Sequence, residues 1–129
     1  STGREYFHEG WLAAHLQHST GIPAADVQAT LAMLTATTIA HSVELAASDT
    51  KELFVCGGGA RNGHLMALLQ QMLPAQIVQS TEVLGVSPDW MEAIAFAWLA
   101  WRFDQRLSGN LPSVTGASGE RILGALHPA

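Results

Sequence analysis

Cysteine is almost absent. Cys56 is the only one in 129 residues, so no disulfide framework can form within one chain, and a reducing setting is expected. Charge is scarce as well: charged residues make up 13% of the chain, roughly half the usual share. Part of the surface is therefore expected to be covered by missing chain or by a partner. Lysine occurs once, at Lys51, and Arg4, Arg61, Arg102, Arg106 and Arg121 are scattered. With a net charge of −5 no basic cluster remains to neutralise phosphates, which argues against a nucleic-acid partner. Long hydrophobic runs are also lacking. The longest apolar stretch, Ala93 to Trp101, is far too short to span a bilayer, and Ser1-Thr-Gly-Arg-Glu-Tyr6 has no signal-peptide pattern. A soluble, cytoplasmic chain with no membrane partner is expected. Its length allows one domain at most.

What is present centres on Glu52-Leu-Phe-Val-Cys-Gly-Gly-Gly-Ala-Arg-Asn62. Leu53 to Cys56 reads as a short buried strand, the three glycines as a turn, and the periodic segment after Asn62 as a helix. Such a junction lets backbone N–H groups meet an anion or a nucleoside, although glycine turns also occur there for steric reasons alone.

Upstream, Phe7, Trp11, Leu12 and Leu16 recur at helical spacing over about Tyr6 to His18. Gly21 and Pro23 interrupt it. A longer helix is predicted from Ala24 to Ala47, with Val27, Leu31, Leu34, Thr38, His41 and Leu45 on one seam and Ala32, Ala36, Ala40 and Ala47 on a face that permits close approach of a neighbour. Downstream, Leu65, Leu68, Leu69, Met72 and Leu73 trace a helix that ends before Pro74, and Ile77-Val-Gln79 is a short strand. Ser87-Pro-Asp89 reads as an N-cap, a proline at the first helical position and a first-turn acid. The helix that follows, to about Arg106, is apolar nearly all round and is expected to be buried between layers. Ser108 to Ser118 reads as loop, and Ile122 to Leu126 as a weak extended segment. The order helix, helix, strand, helix, strand, helix fits an α/β fold with a right-handed parallel crossover. Either its sheet is small or the chain is part of a larger domain.

Among chemistry-bearing residues, His8, His15 and His18, with Glu9 or Asp26, have a spacing that matches no metal motif, and exposed helix histidines explain them. No metal site is expected. His41 reads as a core histidine, and His64 opens the helix after the glycine turn, within reach of a ligand there. Cys56 reads as a buried thiol and not as a nucleophile. Asp89 has a simple role at a helix N-terminus. Glu92 has a weaker one, because it shares a face with Phe96 and Leu99 and points along an apolar surface, and it is a candidate ligand contact. Trp90, Phe96, Trp98, Trp101 and Phe103 read as core in preference to a stacking platform. Asn110, Ser113, Thr115, Gly116 and Ser118 form a polar loop fit to line a cleft.

Several of these stretches together resemble one family, anhydro-N-acetylmuramic acid kinase. The matching runs are Thr2-Gly-Arg-Glu-Tyr-Phe7, Val55-Cys-Gly-Gly-Gly-Ala-Arg-Asn62, Gly85-Val-Ser-Pro-Asp-Trp-Met-Glu-Ala-Ile-Ala-Phe-Ala-Trp-Leu-Ala100 and Gly109-Asn-Leu-Pro-Ser-Val-Thr-Gly-Ala-Ser118, with Leu123 to Ala129 similar to the family's C-terminus. The resemblance implies the two-lobed α/β fold of the sugar kinase, actin and heat-shock-protein ATPases, of which residues 1–129 would be a single, incomplete C-terminal lobe with a short, mostly parallel sheet. It implies a reaction in which ATP, with Mg2+, and water open the 1,6-anhydro ring and phosphorylate O6, giving N-acetylmuramic acid 6-phosphate in peptidoglycan recycling. It places Gly57, Gly58, Gly59 and Asn62 beside the nucleotide and Glu92 at the anhydrosugar, and it suggests a homodimer.

The chain departs from that family in extent. It corresponds to the C-terminal third and lacks the Gly-Thr-Ser-type phosphate loop and the general-base aspartate, so no catalytic residue is assigned here and the piece alone is expected to be inactive. Phosphoryl transfer needs positioned phosphates, a metal ion and a base together. Two alternatives stay open: another sugar kinase of the same superfamily, or a non-catalytic module that pairs with a second polypeptide.

Overall fold

The computed structural model describes residues 3, 5–19 and 21–127. Thr2 and Arg4 of the first matching run lie outside the described residues.

Helix α1 spans Glu9–Leu16 and starts later than its apolar periodicity predicts. The reason is local. The N–H groups of Tyr6 and Phe7 close a turn on the Gly3 carbonyl, and His8 then caps the helix by accepting from the Gly10 N–H. Helix α2 spans Ala24–Ala47, as read from the sequence, and of its two predicted faces the alanine one is buried while the leucine seam is not. Ala36 and Ala40 are buried, whereas Leu34, His41 and Leu45 of the expected seam are exposed. The small side chains let the next helix come close, and the leucine stripe is left facing out. Along the exposed side the hydroxyls of Thr30, Thr35, Thr37, Thr38 and Ser42 donate to carbonyls one turn back, which satisfies them within the helix.

Strand β1, Glu52–Val55, and strand β2, Ile77–Ser80, form a two-stranded parallel sheet in the register Glu52↔Ile77 to Val55↔Ser80. Between them lie a 3-10 turn at Gly58–Arg61 and helix α3, Gly63–Met72. Helix α3 carries the core: Leu65, Leu68 and Leu69 pack with Ala36 of α2, and Ala32, Ile39, Val55, Met72 and Val78 surround them. One polar side chain ties this layer together. The Gln70 amide donates to the carbonyls of Leu73 and Gln76 and accepts from the Val78 N–H at 3.0 Å, so the start of β2 is fastened to the end of α3.

A second 3-10 turn, Thr81–Leu84, closed by Gly85 in the left-handed region (φ 77°), leads to helix α4, Met91–Asp104. Here the structure corrects two expectations. Ser87 and Pro88 do not open α4; they sit in a turn, closed by the Trp90 N–H on the Ser87 carbonyl, that precedes it. Helix α4 is not a buried central helix either, since none of its residues is buried. Phe96 is 64% exposed on the side it shares with Leu99, and on the other side Trp90 (65% exposed), Ile94, Trp98 and Trp101 are exposed as well. Nothing among the described residues is layered over that side. The opposite side carries the tail: Leu99 and Leu123 meet at Gly109, and Phe103 lies against Gly124. The expected loop Ser108 to Ser118 contains one short helical turn, α5, Pro112–Thr115, with proline at its start. The segment from Ile122 forms no strand.

Candidate functional site

Parallel strands deliver their carboxyl ends to one edge of the sheet, and the loops that leave those ends are the usual ligand-binding region of α/β folds. In this chain they are Cys56 to Asn62 after β1 and Thr81 to Trp90 after β2.

The β1 loop begins with Gly57 at φ 71°, ψ −168°, a backbone conformation open in practice only to glycine. The Ala60 N–H closes on the Gly57 carbonyl and the Asn62 N–H on the Gly59 carbonyl, each at 3.1 Å. Asn62 then caps α3: its Oδ1 accepts from the Leu65 N–H at 3.1 Å. The predicted strand, glycine turn and helix start are all present, with Asn62 in a defined local role.

Space over this turn is open. A Cβ built on Gly57, Gly58 or Gly63 would meet no heavy atom within 4 Å, and on Gly59 it would meet only Leu65 at 3.5 Å. Gly58 has no left-handed φ either, so neither packing nor backbone within these residues calls for a glycine there. A free backbone face of this kind suits close approach by a ligand.

The two loops are joined at two points. The Gly57 N–H donates to the Pro88 carbonyl at 2.8 Å. Arg61 forms a fork on Asp89, with Nε donating to Oδ1 at 3.0 Å and Nη2 to Oδ2. That hydrogen bond and the guanidinium charge hold the Asp89 carboxyl below its usual value, against a smaller opposing effect of desolvation. Glu82, in the turn after β2, adds negative charge near Arg61. Asp89 is thus an ion-pair partner of the glycine turn and not a first-turn acid of α4, which begins two residues later. Glu92 stands in the first turn of α4 and is exposed, so the structure brings its segment up to Gly57–Asn62 through Pro88 and Asp89. At the start of the turn after β2, Thr81 is buried and its hydroxyl has no hydrogen-bond partner.

The Arg61–Asp89 link is what sequence reasoning missed. Both residues stood in motifs already singled out. The available signal was topological, because loops at the carboxyl ends of neighbouring parallel strands must be neighbours.

Other candidates fall elsewhere. His8 caps α1, and His15 donates to the Trp11 carbonyl and stacks on the Trp11 ring at a centroid distance of 4.4 Å. His41 and His64 are exposed, so His41 is not a core histidine. Cys56 is exposed, contrary to the buried thiol expected. Among the described residues no three His, Cys, Asp or Glu side chains gather as a metal site. Asn110 is occupied structurally: its amide donates to the Gly119 carbonyl and accepts from the Arg121 N–H at 2.7 Å, pinning the tail. A cavity of about 1120 Å³ lies between α1 and α2 and is lined by Phe7, Trp11, Leu31 and Leu34 among others, with no residue of either loop.

A short parallel sheet flanked by helices, with a glycine turn and a second loop meeting at its carboxyl edge, matches part of a sugar-kinase-type α/β domain. The family is more specific. The model of the family described as anhydro-N-acetylmuramic acid kinase matches residues 1–129, and the chain belongs to that family.

Proposed function

We propose that residues 1–129 form the C-terminal lobe of a two-lobed, cytoplasmic, ATP-dependent kinase. It opens 1,6-anhydro-N-acetylmuramic acid with water and transfers the γ-phosphoryl group of ATP to O6, in the recycling of bacterial cell wall. The observation that carries this reading is the open glycine turn at the end of β1, joined to the loop that leads into Glu92. Gly57, Gly58, Gly59 and Asn62 form a backbone wall for the nucleoside side of ATP, and Glu92 accepts hydrogen bonds from the sugar hydroxyls. Mg2+ comes with the ATP phosphates and serves to neutralise their charge. No residue of this chain is assigned to proton abstraction or to the phosphates, so the chain by itself is inactive on this reading. The full-length enzyme is a homodimer.

The test uses the complete polypeptide. A non-hydrolysable ATP analogue should shift the amide signals of Gly57 to Asn62, and Glu92→Gln should raise KM for the anhydrosugar or lower kcat. Unchanged amide signals would remove the nucleotide role, and wild-type kinetics for Glu92→Gln would remove the sugar role. The exposed aromatic side of α4 favours a second reading, a non-catalytic module bound to another polypeptide. Turnover of the anhydrosugar by the complete polypeptide, with no second protein present, rules it out.

A further inference from the structure

We infer that Arg61 and Asp89 are positioning residues that lock the nucleotide turn to the sugar-bearing end of α4, so that occupancy of one is felt at the other. The inference rests on the reading above for what the two loops bind, but its structural half stands without it. Helix α4 has no buried residue of its own, and the only buried residue in the turn before it is Pro88. Between the two loops the structure shows two ties: the Gly57 N–H on the Pro88 carbonyl, and the Arg61 fork on Asp89. The first uses Gly57, a position of the β1 loop that would face the nucleotide; the second uses Arg61, the residue just before the α3 cap, Asn62.

An exposed ion pair contributes little to stability, and both partners here are about half exposed. Its geometry has a different consequence. A planar fork on a carboxylate fixes orientation as well as distance, and Asp89 lies three residues before Glu92, less than one helical turn. A displacement of the glycine turn by a nucleotide is therefore passed to Glu92 through a short, stiff path. Lysine in place of Arg61 keeps the charge and loses the fork, so charge and orientation can be tested apart.

The test has two arms in the complete polypeptide. In the ligand-free protein, Asp89→Asn and Arg61→Met should each speed hydrogen exchange at the Gly57 amide and shift the Met91 and Glu92 signals, with the fold otherwise retained. In the second arm, sugar affinity is measured with and without the ATP analogue. Wild type should bind the sugar more tightly when the analogue is present. That gain should fall by about two- to fivefold in either variant, the range an exposed pair can transmit. It should fall nearly as far in Arg61→Lys and return in part in the exchanged pair Arg61→Asp with Asp89→Arg. Unchanged exchange at Gly57, or an undiminished gain in both single variants, overturns the inference. So does a loss that the exchanged pair leaves untouched. Failure of the analogue to bind wild type at all counts against the proposed function, while the first arm still decides whether the lock exists.

Discussion

At the scale of single residues, the glycine turn separates conformational need from ligand need. Gly57 has a positive φ with free space around it, so Gly57→Ala should cost only the left-handed backbone penalty, about 1–2 kcal/mol, seen as a lower midpoint in urea unfolding. Gly58 has neither constraint. Gly58→Ala should leave the midpoint unchanged and weaken ATP-analogue binding; a stability loss like that of Gly57→Ala would show that its glycine is structural. Asp89 gives a pH dependence with a definite sign. Arg61 lowers its native pKa below the usual 3.8, so whatever stability the pair contributes is complete above that value and is lost as pH falls through the lower native one. Unfolding midpoints of wild type and Asp89→Asn should therefore differ at neutral pH and converge only in strong acid. The glycine turn was legible in the sequence because it acts on its own neighbours, whereas the Asn62 cap, equally local, came only from the structure. Asp89 was misread for the opposite reason: its partner sits on another loop, and a local rule offered a nearer explanation.

At the scale of elements, the bounds of α2 followed from periodicity and breakers, and those of both strands did so to within a residue, because a helix end or a strand end is decided within a few residues. Both faces of α2 were read as well, but not which of them is buried. Hydropathy favours the stripe with Leu31, Leu34 and Leu45, whereas contact with α3 selects Ala36 and Ala40; which stripe wins depends on the shape of the partner. Leu69 is fully buried beside Ala36. Leu69→Ala should cost about 2–5 kcal/mol and Leu45→Ala, on the exposed stripe, within about 0.5 kcal/mol, both read from chemical denaturation. A large loss at Leu45 would mean that the stripe has a partner.

At the scale of the whole molecule, the decisive feature is the apolar side of α4, with Trp90, Ile94, Trp98 and Trp101 all exposed. The sequence predicted that this helix would be covered, and the residues described cover only its tail-facing side, through Leu99 and Phe103. A monomer rarely leaves so contiguous an apolar patch in water, and a two-stranded sheet is marginal without further strands or helices. Both facts agree with the lobe reading, which makes the same substitution behave differently in two settings. In residues 1–129 alone, Ile94→Gln or Trp98→Gln should change stability by no more than about 0.5 kcal/mol and should reduce aggregation. In the complete polypeptide the same positions would face apolar neighbours, and burying the glutamine amide without a partner should cost about 1–3 kcal/mol. Tryptophan emission should also move to shorter wavelength, and acrylamide quenching should fall, on going from the short chain to the complete one. Equal emission, equal quenching and equal tolerance in both would show that α4 stays exposed, and the lobe reading would then lose its main structural support even though the family assignment stands.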